Sequence, residues 1–241
     1  MNELVPIAAA IAGGVLPALA WLWFWRREDS KHPEPRKLIA YAFFAGMVTV
    51  AAVIPIEQFV AQYLNEAQAL WLAFLPASTL VFFAWSAIEE VCKYIAARIS
   101  VLRRRENDEP IDPVIYMVTV ALGFAAAENT LFLLSPLAGS TLLQTVQTGD
   151  LRFVGATLLH VLSSSVIGVA LGLSFYKRKR IRRRFAIGGV ILAILLHSLF
   201  NFLILNTPET NLLRTFGLVW IGLVALLGVL EFVKRIRPRW A

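Results

Sequence analysis

Two adjacent glutamates and a lysine lie within an otherwise apolar stretch of the sequence, AWSAIEEVCKYIAA at residues 84–97. Placing an ionisable side chain in hydrocarbon costs about 3 kcal/mol on insertion scales. The charges of Glu89, Glu90 and Lys93 therefore need compensation. A single lysine cannot neutralise two buried carboxylates, so a structural ion pair alone does not explain the stretch. We interpret the glutamates as candidate catalytic groups, because a carboxylate can remove a proton from water, and Lys93 as their local counter-charge.

Three further apolar segments carry ionisable residues at a matching depth. These residues are Glu128, His160 and His197, and their depth matches that of Glu89. Each lies 13 to 17 residues from the charged end of its segment, which corresponds to about 20–25 Å along a helix. Polar residues with unrelated structural roles would not be expected to match in depth. We therefore expect these groups to share one layer of the membrane.

Carboxylates and imidazoles in one layer are suited to activating water for hydrolysis. A carboxylate takes the proton, and imidazoles or a bound metal stabilise the oxyanion that develops. Two histidines and a glutamate are also a common zinc environment, in which another glutamate acts as the base. The metal-binding hypothesis is a zinc ion on Glu128, His160 and His197, and a glutamate mechanism without a metal stays open. Taken singly, each histidine could instead be a core residue with satisfied hydrogen bonds.

Polar neighbours on the same helix faces are candidates for a supporting role. Asn201 follows His197 by four residues, so we expect it to orient that ring or to bind the substrate backbone. Asn129, next to the glutamate of the fourth segment, and Lys93 complete the supporting set for substrate or oxyanion. Ser164 is interpreted as a packing residue.

The segments that position these residues are long apolar runs. Hydrophobic residues make up 58% of the 241-residue chain and charged residues only 16%, a balance that excludes an ordinary soluble domain. Seven runs are long enough to span a bilayer, at residues 4–25, 38–60, 71–100, 113–134, 152–176, 185–205 and 212–233. Pro76 is expected to separate an outer turn from a helix of about 24 residues in the third run. The predicted fold class is all-α, a polytopic transmembrane bundle that forms one membrane domain over residues 1–241.

Basic residues cluster in alternate loops between these runs, as in KRKRIRRR at residues 177–184. This positive-inside pattern predicts that the N-terminus lies outside and the C-terminus lies in the cytoplasm of a multi-pass protein of the plasma or inner membrane. The first run lacks a basic n-region, so we expect it to be retained rather than cleaved. We interpret the basic tracts as anchors on anionic lipid at the cytoplasmic face, and nucleic acid is not an expected partner.

Four motifs in chain order carry a family resemblance. They are EEVCK at 89–93, FAAAEN at 124–129, HVLSS at 160–164 and HSLFN at 197–201. The region of about residues 35–205 resembles the PrsW family of intramembrane proteases, which is related to the CAAX-processing and bacteriocin-processing membrane peptidases. EExxK and FxxxE fit the PrsW branch, whereas the CAAX branch has EExxxR and FxxxH. Prenylated substrates are accordingly not implied.

The resemblance implies an endopeptidase that cleaves a membrane protein, such as an anti-sigma factor. It assigns Glu89 as the base that activates water and Glu90 as its support. His160 and His197 would bind the water, the oxyanion or a metal. Glu128 stands where related peptidases have a histidine. The resemblance does not decide between a metal mechanism and a glutamate mechanism.

Two other functions stay open on the sequence. A proton- or ion-coupled transporter also places glutamate and histidine near the membrane midplane. Transporters often carry two structural repeats with interrupted helices, and this sequence shows neither clearly. A membrane scaffold that retains the site without activity is the third possibility.

Overall fold

All regular structure in the described part of the chain is α-helical. The computed structural model describes residues 4–28, 32–68, 77–134, 142–206 and 212–237. The helices are α1 (Leu4–Glu28), α2 (Arg36–Gln68), α3 (Ala77–Ser100), α4 (Asp112–Leu134), α5 (Leu142–Leu173), α6 (Lys179–Asn206) and α7 (Leu212–Lys234). Six of them are long and apolar enough to cross a membrane, which confirms the predicted all-α, multi-pass bundle.

The exception to that apolar composition is α3, which carries the two glutamates and the lysine of the opening motif. Its first half contacts the second half of α2, because the indole nitrogen of Trp85 donates to the carbonyl oxygen of Glu57 at 3.3 Å. At its other end, Arg98 borders the same cavity as Pro113 and Lys179, which lie at the starts of α4 and α6. The helix α3 therefore runs beside α2 and ends near the starts of α4 and α6.

The fourth and fifth helices form the centre of the bundle. Nearly every side chain of α4 is buried, because α1, α2 and α5 pack around it. A Cβ atom at Gly123 would lie 1.9 Å from the carbonyl oxygen of Phe43, and one at Gly46 would lie 2.0 Å from that of Val120. The small residues before Glu128 thus allow α2 to approach α4 closely. The outer helices expose apolar side chains, as expected of surfaces that face lipid.

Several helix ends differ from the predicted runs. The polar segment at residues 139–150 lies between the predicted runs 113–134 and 152–176, but α5 is continuous from Leu142. No proline interrupts the chain there, so the helix can extend past the polar residues. The basic tract likewise belongs to α6 from Lys179, because lysine and arginine favour helices. The helix α3 begins directly after Pro76, and the predicted outer turn lies outside the described residues.

Candidate active site

Polar side chains from four helices meet inside the bundle, and we refer to them as the polar cluster. It consists of Glu89, Glu90 and Lys93 of α3, Glu128 of α4, His160, Ser163 and Ser164 of α5, and His197 of α6. The glutamates and histidines that depth counting placed in one layer are therefore close together in the structure. In the described part of the chain, this is where a metal-binding combination of side chains occurs.

The ammonium of Lys93 lies at the centre of the polar cluster and is fully buried. Its Nζ atom donates to Glu89 Oε2 at 3.0 Å and to Glu90 Oε1 at 2.9 Å. A third donation at 2.9 Å goes to Nδ1 of His160. The ammonium also lies 4.2 Å from the centroid of the Phe124 ring, a cation–π contact. The predicted local counter-charge is thus in contact with both glutamates.

Glu90 is enclosed by hydrogen-bond donors. Besides Lys93, its Oε1 atom accepts from Nδ1 of His197 at 2.9 Å and lies 3.1 Å from the hydroxyl of Ser163. Its Oε2 atom accepts from the hydroxyl of Ser164 at 2.7 Å. The carboxylate is fully buried, so these donors replace the water that it loses. Glu90 therefore ties α3 to α5 and α6.

The proton positions on His160 follow from its partners. An ammonium can only donate, so Nδ1 accepts from Lys93 and Nε2 carries the hydrogen. Nε2 then donates to Glu128 Oε2 at 2.6 Å. The ring of Phe124, four residues before Glu128 on α4, forms a T-shaped contact with the same imidazole, with 5.3 Å between centroids. The FxxxE spacing thus places an aromatic ring and a carboxylate on one helix face, and both of them orient His160.

Both histidines present a second nitrogen toward Glu89. The distance from Glu89 Oε2 is 3.6 Å to Nδ1 of His160 and 3.9 Å to Nε2 of His197. One ligand atom from each of the three residues lies within 4.8 Å of the others, and all three side chains are buried. Tetrahedral zinc with nitrogen ligands at about 2.0–2.1 Å would place its ligand atoms about 3.3 Å apart. To hold such an ion, the three ligand atoms would have to move closer together and Lys93 Nζ would have to move away from Glu89 Oε2 and His160 Nδ1.

The surroundings of the three residues also fit a divalent cation. A histidine that binds a metal usually donates its other ring N–H to a carboxylate, and here Glu128 accepts from His160 while Glu90 accepts from His197. Three carboxylates and one ammonium leave the polar cluster with two formal negative charges when the imidazoles are neutral. An uncompensated negative charge is costly inside a membrane protein, and a divalent cation would neutralise it.

Comparisons with known proteins agree with this site. The sequence matches the family described as PrsW family intramembrane metalloprotease over residues 34–229. The chain belongs to this family. Curated relatives named Protease PrsW include one from Geobacillus kaustophilus, 29% identical over 81% of this chain and 79% of its own length. Another, from Oceanobacillus iheyensis, is 27% identical over 90% of this chain and 92% of its own length. A third, from Bacillus subtilis, is 25% identical over 81% of this chain and 83% of its own length. No solved structure matches the chain at a significant level.

Membership of the PrsW family decides between the functions that the sequence left open. The chain is an intramembrane peptide hydrolase of the metalloprotease type and an integral multi-pass membrane protein, and its substrate is accordingly a membrane protein. A transporter is not favoured. The family description confirms metal dependence at the level of a metalloprotease and does not specify zinc.

The carboxylate that lies with the two histidines in the structure is not the one that the metal-binding hypothesis named. The carboxylate grouped with His160 and His197 is Glu89, whereas Glu128 contacts the outer nitrogen of His160. Two ligands of one ion would be farther apart than the 2.6 Å between Glu128 Oε2 and that nitrogen. Glu128 is also the accessible carboxylate of the polar cluster, with 43% of its side chain exposed, against 7% for Glu89.

The predicted supporting residues lie beside the polar cluster and bind other partners. Asn129 donates to the hydroxyl of Thr157 at 3.0 Å, a contact between α4 and α5. Asn201 lies 3.4 Å from the hydroxyl of Ser86 on α3, and no hydrogen bond to His197 is found in the described part of the chain. Their predicted contacts with substrate or oxyanion stay predictions.

Three residues have surroundings that the sequence analysis missed, and one of them, Ser163, donates to Glu90 although the sequence analysis gave it no role. Ser164, interpreted as a packing residue, donates to Glu90, and its position four residues after His160 could have indicated this. Glu57 of α2 has a buried Oε1 atom without a hydrogen-bond partner among the described residues. No sequence signal separates it from an ordinary residue near a helix end, because its burial depends on the packing of α2 against α3.

Proposed function

We propose that this protein cleaves a peptide bond of a membrane protein with a zinc ion on Glu89, His160 and His197, and with Glu128 as the general base. The observation that carries this proposal is the orientation of the two imidazoles. Each has one nitrogen hydrogen-bonded to a carboxylate and the other nitrogen toward Glu89. This assignment exchanges the roles that the sequence analysis gave to Glu89 and Glu128.

When bound, the metal supplies a Lewis acid that makes a water molecule a better nucleophile and polarises the scissile carbonyl. Glu128 is suited to take the proton, because one of its oxygens bonds His160 while its side chain is still partly exposed. As the water oxygen bonds to the carbonyl carbon, the proton moves to Glu128. It then passes to the amine nitrogen as the C–N bond breaks.

Glu90 and Lys93 keep the site in position during this reaction. Glu90 holds His197 through Nδ1 and is itself held by two serines of α5. Lys93 now contacts Glu89 Oε2 and His160 Nδ1, the same atoms that face the proposed ion. A bound ion would take the place of the ammonium beside Glu89 and His160, and the contact of Lys93 with Glu90 would hold the ammonium next to the site.

We further propose residues 35–205 as the protease core, since every member of the polar cluster belongs to α3, α4, α5 or α6. The basic helix ends support a cytoplasmic C-terminus and contact with anionic lipid at that face. An anti-sigma factor as the substrate rests on the resemblance of the motifs and stays a prediction.

The test uses the chain's own histidines as a matched pair. Purified wild-type protein, His197→Ala and His32→Ala are compared for zinc content and for cleavage of a co-reconstituted single-span membrane protein. His32 is an exposed histidine that contacts Glu109 in a loop, so its variant should keep both zinc and cleavage. We expect His197→Ala to lose both. Zinc and cleavage at wild-type levels in His197→Ala would contradict the proposal.

A further inference from the structure

A cavity of about 1050 Å³ lies between α3 and α6, away from the polar cluster. Arg98, which borders it, is nine residues beyond Glu89, or about 13 Å along the helix. The cavity lies at the end of the bundle where α4 and α6 begin, since Pro113 and Lys179 also border it. The proposed peptidase chemistry does not use this space.

One part of the cavity wall is cationic. Its basic side chains are Arg98, Arg103, Lys179, Arg182 and Arg183, and among the described residues no acidic side chain borders the cavity. None of these side chains forms an ion pair with a carboxylate in the part of the chain that the structure describes. Arg98 donates to the hydroxyl of Tyr94 at 3.0 Å, which holds its guanidinium at the edge of the cavity. We name this space the basic cavity.

The other part of the wall is apolar and leads to the outside of the bundle. Ala186 and Val190 of α6 border the cavity beside Leu171 of α5. Ile187 and Ile191, one and two turns beyond Arg183 on α6, are 50% and 53% exposed. An apolar strip that continues from a cationic site into the lipid-facing surface matches the two halves of a phospholipid.

We propose that the basic cavity binds an anionic phospholipid, with its phosphate on the arginines and an acyl chain along Ile187 and Ile191. Basic pockets between transmembrane helices are suited to anionic headgroups, and each nearby cation contributes about 1 kcal/mol of attraction. An acidic protein segment would satisfy the cations but would leave the apolar strip without a partner. A free phosphate ion would make no use of the strip either. This inference does not depend on the proposed catalytic roles.

The experiment measures lipid binding to the purified full-length chain in detergent, which removes the general attraction of a charged bilayer. Phosphatidylglycerol is titrated and compared with phosphatidylcholine, inorganic phosphate and an acidic peptide, with native mass spectrometry as the readout. Two double variants remove the same charge from one helix. Arg182→Ala/Arg183→Ala changes the basic cavity, whereas Arg180→Ala/Arg184→Ala changes arginines of the same tract that do not border it.

We expect one phosphatidylglycerol to bind, and its affinity to fall about 10- to 30-fold in Arg182→Ala/Arg183→Ala. The matched variant should change the affinity less than about twofold, because its arginines lie outside the site. Ile191→Trp, which fills the apolar strip and keeps every charge, should also weaken lipid binding. An equal loss in both double variants would overturn the proposal. So would binding of phosphate or of the acidic peptide as tightly as the lipid.

Discussion

Glu90 and Glu128 are carboxylates of one polar cluster in opposite surroundings. Glu90 is fully buried and has donors from α3, α5 and α6 on both oxygens. Glu128 accepts from His160 and keeps 43% of its side chain exposed. The difference indicates a division of labour: a carboxylate with all its positions occupied can hold helices together, whereas a proton acceptor needs a position that water and substrate can reach.

The largest effect on stability should come from removing the enclosed carboxylate. Glu90→Ala leaves the ammonium of Lys93 and the Nδ1–H of His197 without their acceptor, in a site that water does not reach. We expect the free energy of unfolding to fall by about 3–5 kcal/mol, measured by denaturant titration in detergent. Glu128→Ala is the control and should cost less, about 1–3 kcal/mol, because it leaves only the Nε2–H of His160 without its acceptor. Equal losses of unfolding free energy in the two variants would contradict the different roles assigned to Glu90 and Glu128.

The largest effect on catalysis at an intact metal site should come from the exposed carboxylate. Glu128→Gln keeps the shape of the side chain and an acceptor for His160, but the amide cannot take a proton. We expect the rate of substrate cleavage to fall by about 10²–10⁴-fold with little change in stability. The measurement is the cleavage rate of a membrane substrate in proteoliposomes. Cleavage within a few-fold of wild type would show that another group is the base.

Smaller losses of stability are expected for substitutions in α5, where two adjacent serines should differ. Ser164→Ala removes a charge-assisted hydrogen bond to Glu90 and should lower the free energy of unfolding by about 1–2 kcal/mol. Ser165→Ala is a matched control, since that buried hydroxyl bonds the Leu162 carbonyl of its own helix. It should be close to neutral. An equally large loss in Ser165→Ala would mean that the hydrogen bond to Glu90 does not account for the loss in Ser164→Ala.

The smallest effect should come from the contact between α4 and α5 outside the polar cluster. Asn129→Ala breaks a hydrogen bond to Thr157 and should cost about 0.6 kcal/mol, as is usual for such bonds in membrane proteins. The cleavage rate should change little, which denaturant titration and the proteoliposome assay check together. A large loss of cleavage at unchanged stability would instead support the predicted contact of Asn129 with substrate.

The members of the polar cluster could largely be predicted from the sequence. Burying charge in a membrane is costly, so ionisable residues are rare in apolar segments and stand out where they occur. Depth counting brought Glu89, Glu128, His160 and His197 together correctly, since helix rise is constant. Which carboxylate faces which nitrogen depends on rotamers and helix rotation, and neither can be read from spacing. The continuous α5 was missed for a related reason, because polar residues outside the bilayer do not mark where a helix ends.

The central claim is that Glu89 is the metal-binding carboxylate and Glu128 is not, and metal content tests it directly. Zinc is measured by elemental analysis in folded, monodisperse wild-type protein, Glu89→Gln and Glu128→Gln. The geometry of His160 and His197 about Glu89 predicts that Glu89→Gln loses the metal and that Glu128→Gln retains about one ion per chain. Zinc retained in Glu89→Gln and lost in Glu128→Gln would contradict the account and restore the assignment first drawn from the sequence.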